Sequence, residues 1–394
     1  MKEDRCKKGD GVVKKTNRGN ILRLLSTKQA NTRIDLAKVS QLTKMSVSNI
    51  IDEFIVKGIV EEGEIKEQNA RGKNPVSLKF STQAPKIIGV LVNRESCSAV
   101  LCDMYLNVLH RQIIYFAKKH ENREQELLSH IDALVEEMIA QESNILGIGV
   151  ASIGPLDVKQ GLILQPPRFY GIGNIALVRL LEGKYHLPVY LDHQYNSAAR
   201  AEKFFGMAGA YSSFVFVGIS DGIGAGIYLE DKLLRSNGFG SELGHMSIGW
   251  QESKSEGGLP GCIEDFASAQ AITKEVEKVT GERLTFAQCM EQSVASELID
   301  RIILDAVEKL AICLTGIVNL LNPELILLGH EGVLLPEVYV RFMETYMNQH
   351  KLSGDYTKIS IQKSHFGTKA QLIGSACNVL EGVFHGEFFC EQSQ

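Results

Sequence analysis

Two short helical segments separated by four residues most tightly constrain how this chain begins to fold. Apolar residues spaced along one helix face predict a helix after residue 43: Val47, Ile50, Ile51, Phe54 and Ile55. Thr43 is placed to cap the start of that helix, and Gly58 to end it. The segment TRIDLAKVS, residues 32–40, predicts a shorter helix just before it. Two helices joined by so short a turn are typical of a helix-turn-helix.

A further helix and a hairpin flank this pair. Ile21, Leu24 and Leu25 predict the helix, and the segments IVEEGEIK and VSLKF predict the strands of the hairpin. Together these elements predict a winged helix-turn-helix in residues 1–82. Short polar or basic side chains at the start of the third helix and at the hairpin tip are candidates for contacts in the DNA grooves: Lys44, Ser46, Ser48, Asn49, Arg71 and Lys73.

The distribution of charge agrees with a nucleic-acid partner for this head. Residues 1–80 carry 17 Lys or Arg and 10 Asp or Glu, whereas the rest of the chain carries 25 and 37. A basic head on an acidic body indicates that only the head contacts a polyanion. The alternative is a three-helix bundle with an ordinary solvated polar face.

Composition argues against several classes of protein. The 394 residues are 44% hydrophobic and 23% charged, which is ordinary for a globular protein of two or three domains. The sequence contains no run of about 18 apolar residues, and its polar first twenty residues lack the apolar core of a secretory signal. The eight cysteines include no CxxC pair, which favours reduced, buried thiols. We therefore expect a cytoplasmic protein with no membrane partner.

The body of the chain, residues 86–394, predicts a different architecture. Its composition changes at STQAPK, residues 81–86. IIGVLV, SAVLCD and VLHRQIIYF predict an antiparallel meander, after which buried strands alternate with helices. DGIGAGI, residues 221–227, predicts a glycine-rich turn between two strands. This order predicts an α/β fold, and a glycine-rich turn between two strands is consistent with an actin-like, sugar-kinase architecture.

The order of several segments resembles the ROK family of bacterial sugar-responsive repressors and sugar kinases. The segments that carry the resemblance are GVASIGPLD (149–157), NSAARAE (196–202), GISDGIGAGI (218–227), GSELGH (240–245), GCIEDFAS (261–268) and LNPELILLGHEGVL (321–334). The pair ELGH and GCIE is more specific than GIGAG alone. The resemblance covers residues 17–390. It implies a two-lobed domain over residues 86–394, with a small lobe of about residues 86–203 plus the C-terminal helix 369–386, and a large lobe of about residues 204–368.

Two motifs bear on whether this body is a working kinase. The family's kinases resemble one another in a first loop of the type G-x-D-x-G-G-T. Laid on residues 89–95, that loop has Leu91 in place of its Asp and Glu95 in place of its Thr. The family's Asn-Asp pair, which supplies the catalytic base, corresponds to His193 and Gln194. Leucine cannot bind a metal ion, Glu95 would repel phosphate, and an amide is not a base. We therefore expect an ordinary hairpin, no catalytic residue and no enzyme activity; an ATP-dependent sugar kinase with an accessory DNA-binding head is the alternative.

The resemblance also implies a sugar site. In the ROK pattern the sugar is held by the Glu and His of ExGH and the Glu of GCxE, which correspond to Glu242, His245 and Glu264. For each residue alone, the alternative is a surface carboxylate or a core histidine. Further candidates for contact with the sugar are Gln194, the neighbouring His193, and Asn174 in the segment GIGN.

The family's structural zinc site is incomplete in this sequence. Ser255 and Gly257 stand where two of its cysteines would be, which leaves His245 and Cys262. Two ligands do not make the closed tetrahedral site of a structural zinc ion. We therefore expect no metal and no other cofactor.

These expectations combine into one function. The chain is expected to repress carbohydrate-utilisation genes by binding a palindromic operator as a homodimer or a dimer of dimers. A sugar or sugar derivative is the expected effector. A repressor controlled by a protein partner is a second alternative.

Overall fold

The computed structural model describes residues 2–65, 75–117, 122–249 and 259–387, and the side chains from residue 13 onward except that of Ile65. Four positions singled out in the sequence lie outside this part of the chain: Arg71, Lys73, Ser255 and Gly257.

The head is a helix-turn-helix followed by two paired strands. Its elements are α1 (Lys2–Ser26), α2 (Arg33–Ser40), α3 (Lys44–Val56), β1 (Val60–Ile65) and β2 (Val76–Phe80). Thr43 caps α3 as predicted, because its side chain accepts a hydrogen bond from Ser46 N at 3.1 Å. Gly58, with φ 67°, follows the end of the helix. The predicted apolar face of α3 is buried, with Val47, Ile51 and Phe54 at 0% exposure.

A mixed sheet follows the head. Its elements and the short segments after them are β3 (Lys86–Val92), β4 (Ser96–Cys102), β5 (Val108–Tyr115), α4 (Arg123–Gln141), β6 (Ile145–Ser152), β7 (Leu156–Asp157), β8 (Leu162–Ile163), α5 (Leu177–Tyr185), β9 (Val189–His193) and α6 (Gln194–Phe205). The strand order is β5-β4-β3-β6-β9. β3, β4 and β5 form the predicted antiparallel meander, and β6 is parallel to β3.

A second mixed sheet follows, with helices after its third strand. Its elements are β10 (Phe214–Ile219), β11 (Ile223–Leu229), β12 (Lys232–Leu233), α7 (Glu264–Ala267), α8 (Ala269–Thr280), α9 (Phe286–Gln292), α10 (Glu297–Leu321), β13 (Leu325–His330), α11 (Glu337–His350), β14 (Ser360–Lys363) and α12 (Ala370–Phe384). The strand order is β12-β11-β10-β13-β14. β10 and β13 run parallel, so their carboxyl ends meet at one edge of the sheet.

The chain divides into two compact units. The first comprises Met1–Ser152, Pro167–Leu191 and Ser375–Gln394, and the second comprises Ile153–Pro166 and Asp192–Gly374. Counted in chain order, the strands of both five-stranded sheets follow the same spatial order, which the sequence did not reveal as a repeat. The domain and lobe boundaries expected from the sequence stay predictions, because compactness does not test which segments fold alone.

The glycine-rich turn predicted within residues 221–227, with its glycines at 222–226, is shorter than expected, which corrects that prediction. Only Gly222 lies in the turn, and β11 begins at Ile223. A Cβ atom would lie 2.0 Å from the Tyr195 ring at Gly218 and 2.2 Å from it at Gly224. These glycines let α6 approach β10 and β11 closely, so their role is packing within strands.

In the first unit, the C-terminal part of α12 packs against both the sheet and the head. A Cβ atom at Gly149, on β6, would lie 1.9 Å from Ser375 O, and one at Gly19, on α1, would lie 2.3 Å from Phe384 O. The glycines at these positions permit backbone contact. α12 therefore joins the first sheet to the first helix of the head.

Two expectations from the composition, on cysteines and on membrane helices, can be compared with the structure for the described residues. Six cysteines are free and buried there, as expected: Cys97, Cys102, Cys262, Cys289, Cys313 and Cys377. Among the helices of the described ranges, none combines the length and apolar character needed to cross a bilayer.

Candidate functional site

A buried carboxylate organises the junction between β9 and α6 in the second unit. Asp192 accepts hydrogen bonds from Arg200 Nη2 at 2.6 Å and Arg235 Nε at 3.0 Å, and from Asn196 Nδ2 at 3.1 Å. Burial opposes ionisation of Asp192, but the two guanidinium groups outweigh it and lower its pKa. This network holds the backbone of Asp192 in place. The next two residues, His193 and Gln194, are the N-cap and the first residue of α6.

His193 caps the start of α6. Its Nδ1 accepts a hydrogen bond from Tyr195 N at 3.4 Å. Burial lowers the pKa of His193 to about 4, against a smaller opposite effect of Asp192. The ring is therefore neutral at pH 7. Because Nδ1 is the acceptor, the proton lies on Nε2, which can donate to a ligand.

Glu242 and His245 stand at the two ends of a short 3₁₀ helix, Leu243–His245. Glu264 is the first residue of α7. Backbone pairing brings the two segments together, since Ile263 N donates to Met246 O at 3.0 Å. Glu264 Oε2 accepts from Ile223 N at 3.4 Å, next to the turn between β10 and β11.

Charge and spacing show that these side chains form one cluster. Desolvation and the nearby Glu264 carboxylate raise the pKa of Glu242, whereas His245 has the opposite effect. A Cβ atom at Gly154 would lie 3.4 Å from His193 Nε2 and 3.9 Å from Glu242 Oε1. The second unit therefore brings together Glu242, His245, Glu264 and His193. These acceptors and a neutral N–H donor suit a ligand rich in hydroxyl groups.

The structure gives no contact that joins the two remaining sugar candidates, Gln194 and Asn174, both within the described ranges, to this cluster. Gln194 is the half-buried first residue of α6, beside His193. Asn174 is exposed, has φ 60° and belongs to the first unit. Contact of either residue with a ligand stays a prediction.

Residues 93–96, all of them described, form a tight hairpin in the first unit. Asn93 N donates to Ser96 O at 2.9 Å, and Leu91 is buried within β3. Between residues 93 and 96 no φ is positive, so the turn lacks the successive inward N–H groups of a phosphate-binding nest.

The predicted DNA contacts on α3 differ in how accessible they are. Lys44 and Asn49 are exposed. Ser46 Oγ lies 2.8 Å from Thr43 Oγ1, and Ser48 Oγ accepts from Arg33 Nη1 at 2.9 Å. Contact of these four residues with DNA stays a prediction, as it does for Arg71 and Lys73 outside the described ranges.

The residues present do not fit the family's structural zinc. The Cys262 thiol is placed to donate to Leu259 O at 2.9 Å and to His245 O at 3.5 Å. Within the described ranges, no cluster of three His, Cys, Asp or Glu side chains could hold a metal ion. Ser255 and Gly257 supply no zinc ligand of the usual kind.

Sequence reasoning missed a second group of ionisable residues in the second unit. Strands β10 and β13 are parallel neighbours in the second sheet. Asp221 lies just after the end of β10, and Glu331 lies just after the end of β13. Burial and then Asp221 raise the pKa of Glu331 to about 7. Burial also lowers the pKa of the adjacent His330. The buried arginine in NSAARAE was the signal that could have revealed the Asp192 network; the carboxylates at the strand ends had no such signal.

The sequence profile of the ROK family matches residues 87–381. The chain belongs to the ROK family.

Among ROK relatives, a xylose repressor of Caldicellulosiruptor bescii is 26% identical over 392 residues, covering 94% of this chain and 97% of the repressor. The crystal structure of a ROK family transcriptional regulator, described as a homologue of the Escherichia coli Mlc protein, has a TM-score of 0.82 at 25% identity. That alignment covers 96% of this chain and 98% of the regulator.

A kinase shares the fold as well. The ROK hexokinase of Thermus thermophilus has a TM-score of 0.61 at 25% identity, covering 74% of this chain and 97% of the hexokinase. The winged helix-turn-helix and ROK α/β fold predicted from the sequence are thus confirmed. Because the fold serves repressors and kinases, the site residues must decide between these activities.

Proposed function

We propose that this ROK protein is a DNA-binding transcriptional repressor of carbohydrate-utilisation genes whose ROK domain binds a sugar without phosphorylating it. The observation that carries the proposal is the cluster of Glu242, His245 and Glu264 beside a helix start that lacks a base. A site that binds hydroxyls and has no means to transfer phosphate is suited to sensing.

Three features argue against phosphoryl transfer. Gln194 has no basicity, and His193 holds its proton on Nε2 while Nδ1 caps α6. Leu91, at the position of the family's Asp, has no donor atom for a metal ion and is buried within β3. Parallel strands bind phosphates at their carboxyl ends, and there the carboxylate of Asp221, which follows β10, would repel them.

The head supports DNA as the partner. Its α2–α3 pair has helix-turn-helix spacing, and the exposed Lys44 and Asn49 lie on the first turns of α3. Relatives of nearly equal length are named repressors. A homodimer or dimer of dimers on a palindromic operator follows from the symmetry that paired half-sites require. Such a repressor works in the cytoplasm, where its DNA is.

The test is fluorescence anisotropy of labelled upstream DNA fragments at fixed salt, since affinity depends steeply on ionic strength. The fragment that the full-length protein binds selectively is taken as the operator. A panel of sugars is then titrated into that complex. The panel includes xylose and N-acetylglucosamine, because relatives carry the names of these two sugars. Selective binding altered by one sugar supports the proposal. Selective binding that ignores every sugar favours a protein partner as the regulator.

The kinase alternative has its own assay. A coupled assay of ADP release with the same sugar panel should stay at the level of a blank without protein. Sugar-dependent turnover would overturn the proposed loss of transfer chemistry and would direct attention to His193.

A further inference from the structure

A single arginine connects three elements of the head. Arg33 is the first residue of α2. Its Nη1 donates to Ser48 O at 3.2 Å and to Ser48 Oγ at 2.9 Å, on α3. Its Nη2 lies 2.7 Å from Asp52 Oδ1, also on α3, and 3.3 Å from Glu62 Oε1, on β1. One planar group thus bridges α2, α3 and the first strand of the hairpin.

The exposure of these side chains indicates that the contacts of Arg33 orient α3 and the hairpin strand rather than contribute to the stability of the fold. The side chains of Asp52 and Glu62 are 60% and 51% exposed, and that of Arg33 is 30% exposed. Ion pairs this accessible contribute little to folding. The fork of a guanidinium group, however, holds its partners in fixed directions, which an ammonium group does not.

The same contacts occupy a residue that the sequence placed at the DNA. The Ser48 hydroxyl is engaged by Arg33, whereas Lys44 and Asn49 on the same helix are exposed. The guanidinium group also neutralises two carboxylates on elements that would approach phosphates. Arg33 therefore sets both the direction of α3 and the local charge.

We propose that Arg33 is a positioning residue for operator recognition, which fixes α3 against the hairpin strand so that Lys44 and Asn49 meet base edges. The proposal rests on the proposed function of the head in binding DNA. It assigns Arg33 no contact with DNA.

The test compares the full-length protein with Arg33→Met, Arg33→Lys and the control Lys38→Met, which removes the same charge from an exposed position of α2. Anisotropy measures binding to the selected operator fragment and to a scrambled duplex of equal length at several salt concentrations. We expect both Arg33 variants to bind the operator about tenfold more weakly, on the scale of one lost base contact. Arg33→Lys keeps the charge, so its binding to the scrambled duplex and its salt slope should not change. Lys38→Met should keep the full preference for operator.

Two results would overturn the inference. Equal operator preference in wild type and Arg33→Met would show that the fork positions nothing. A salt slope smaller by about one charge, with the preference kept, would show direct contact with a phosphate. If Arg33→Met lowers the unfolding temperature of the head, Ser48→Ala decides, because it removes only the hydroxyl acceptor. Ser48→Ala should lose preference in Arg33 protein and change nothing further in Arg33→Met.

The proposed function fails separately. If the wild-type protein does not distinguish any operator fragment from the scrambled duplex, DNA recognition itself is wrong and the inference falls with it. If wild type does distinguish them and the variants match it, only the role of Arg33 is wrong.

Discussion

At the scale of single residues, burial and neighbouring charge decide what each polar group in the second unit can do. Asp192 remains ionised because Arg200 and Arg235 outweigh its burial. His193 is kept neutral by burial, since only Asp192 opposes the effect. The same two principles give adjacent residues opposite states: Asp192 is charged and anchors the backbone, and His193 is a neutral ring with its proton on Nε2.

Replacing Glu264 by Gln should weaken the sugar response. The change removes a charged acceptor but keeps the size of the side chain, so the sugar concentration that gives half the response should rise about tenfold or more. Anisotropy of the operator complex during sugar titration measures this. The matched control is Glu291→Gln, an exposed residue of α9. An unchanged response in Glu264→Gln would remove this residue from the site.

His193 should make stability depend on pH. Its pKa falls from the usual 6.5 to about 4 in the folded protein, so between these values the unfolded chain binds a proton that the folded chain does not. Stability is therefore constant above about pH 6.5 and decreases as the pH falls toward 4, by at most about 3 kcal/mol.

Thermal unfolding of wild type and His193→Gln from pH 8 to 5 checks this prediction. The variant should lose less stability on acidification. Part of the dependence should remain, because burial also lowers the pKa of His330. The control is His186→Asn at the exposed end of α5, where φ is 55° and Asn is tolerated. Parallel curves for wild type and His193→Gln would contradict the assignment.

At the scale of elements, glycines in strands explain how α6 approaches the second sheet. Tyr195 packs where Gly218 and Gly224 lack side chains. Because the partner atoms belong to a rigid ring in a buried position, they cannot move aside as a flexible side chain would. The closeness of α6 to β10 and β11 in turn determines where His193 and Gln194 lie.

Gly224→Ala should destabilise the second unit. The new Cβ atom would lie 2.2 Å from the Tyr195 ring, and such overpacking typically costs about 1–3 kcal/mol. Chemical denaturation measures the free energy of unfolding. Gly183→Ala is the control, since a Cβ atom there has no neighbour within 4 Å. Equal effects of the two changes would argue against close packing at Gly224.

At the scale of the whole molecule, α12 is the element that gives the first unit both a sheet contact and a head contact. Its backbone meets β6 at Gly149 and α1 at Gly19. The DNA-binding head is therefore packed against part of the ROK domain. If this packing is lost, the head should still bind DNA, but DNA binding should respond less to sugar.

Gly19→Ala should weaken the sugar response while the head still binds its operator. A Cβ atom there would lie 2.3 Å from Phe384 O and 2.7 Å from Val383 O, and these backbone atoms can move only with the helix. Operator affinity with and without sugar is the measurement, and Val13→Ala, at an exposed position of α1, is the control. An unchanged sugar response would show that this contact transmits nothing.

The sequence by itself determined the features that depend on local spacing and on the chemistry of single side chains. The period of apolar residues identified α3, and the oxygen of Thr43 and the freedom of Gly58 marked its ends. The side chains at Leu91 and Gln194 argued against kinase chemistry without any coordinates. The local pattern gave a wrong prediction at residues 222–226, where glycines of a strand were assigned to a turn. A tight turn and close packing against an aromatic ring both favour glycine, so the pattern could not distinguish them.

Only the tertiary structure decided the features that join residues distant in the chain. The ion pairs of Asp192 span 8 and 43 positions, and the contacts of Arg33 with Ser48 and Glu62 span 15 and 29. The protonation of His193 and Glu331 follows from burial, which no local pattern encodes. Electrostatic interactions depend on distance in space and on exclusion of water, so the state of each candidate residue became known only once the folded neighbours were in place.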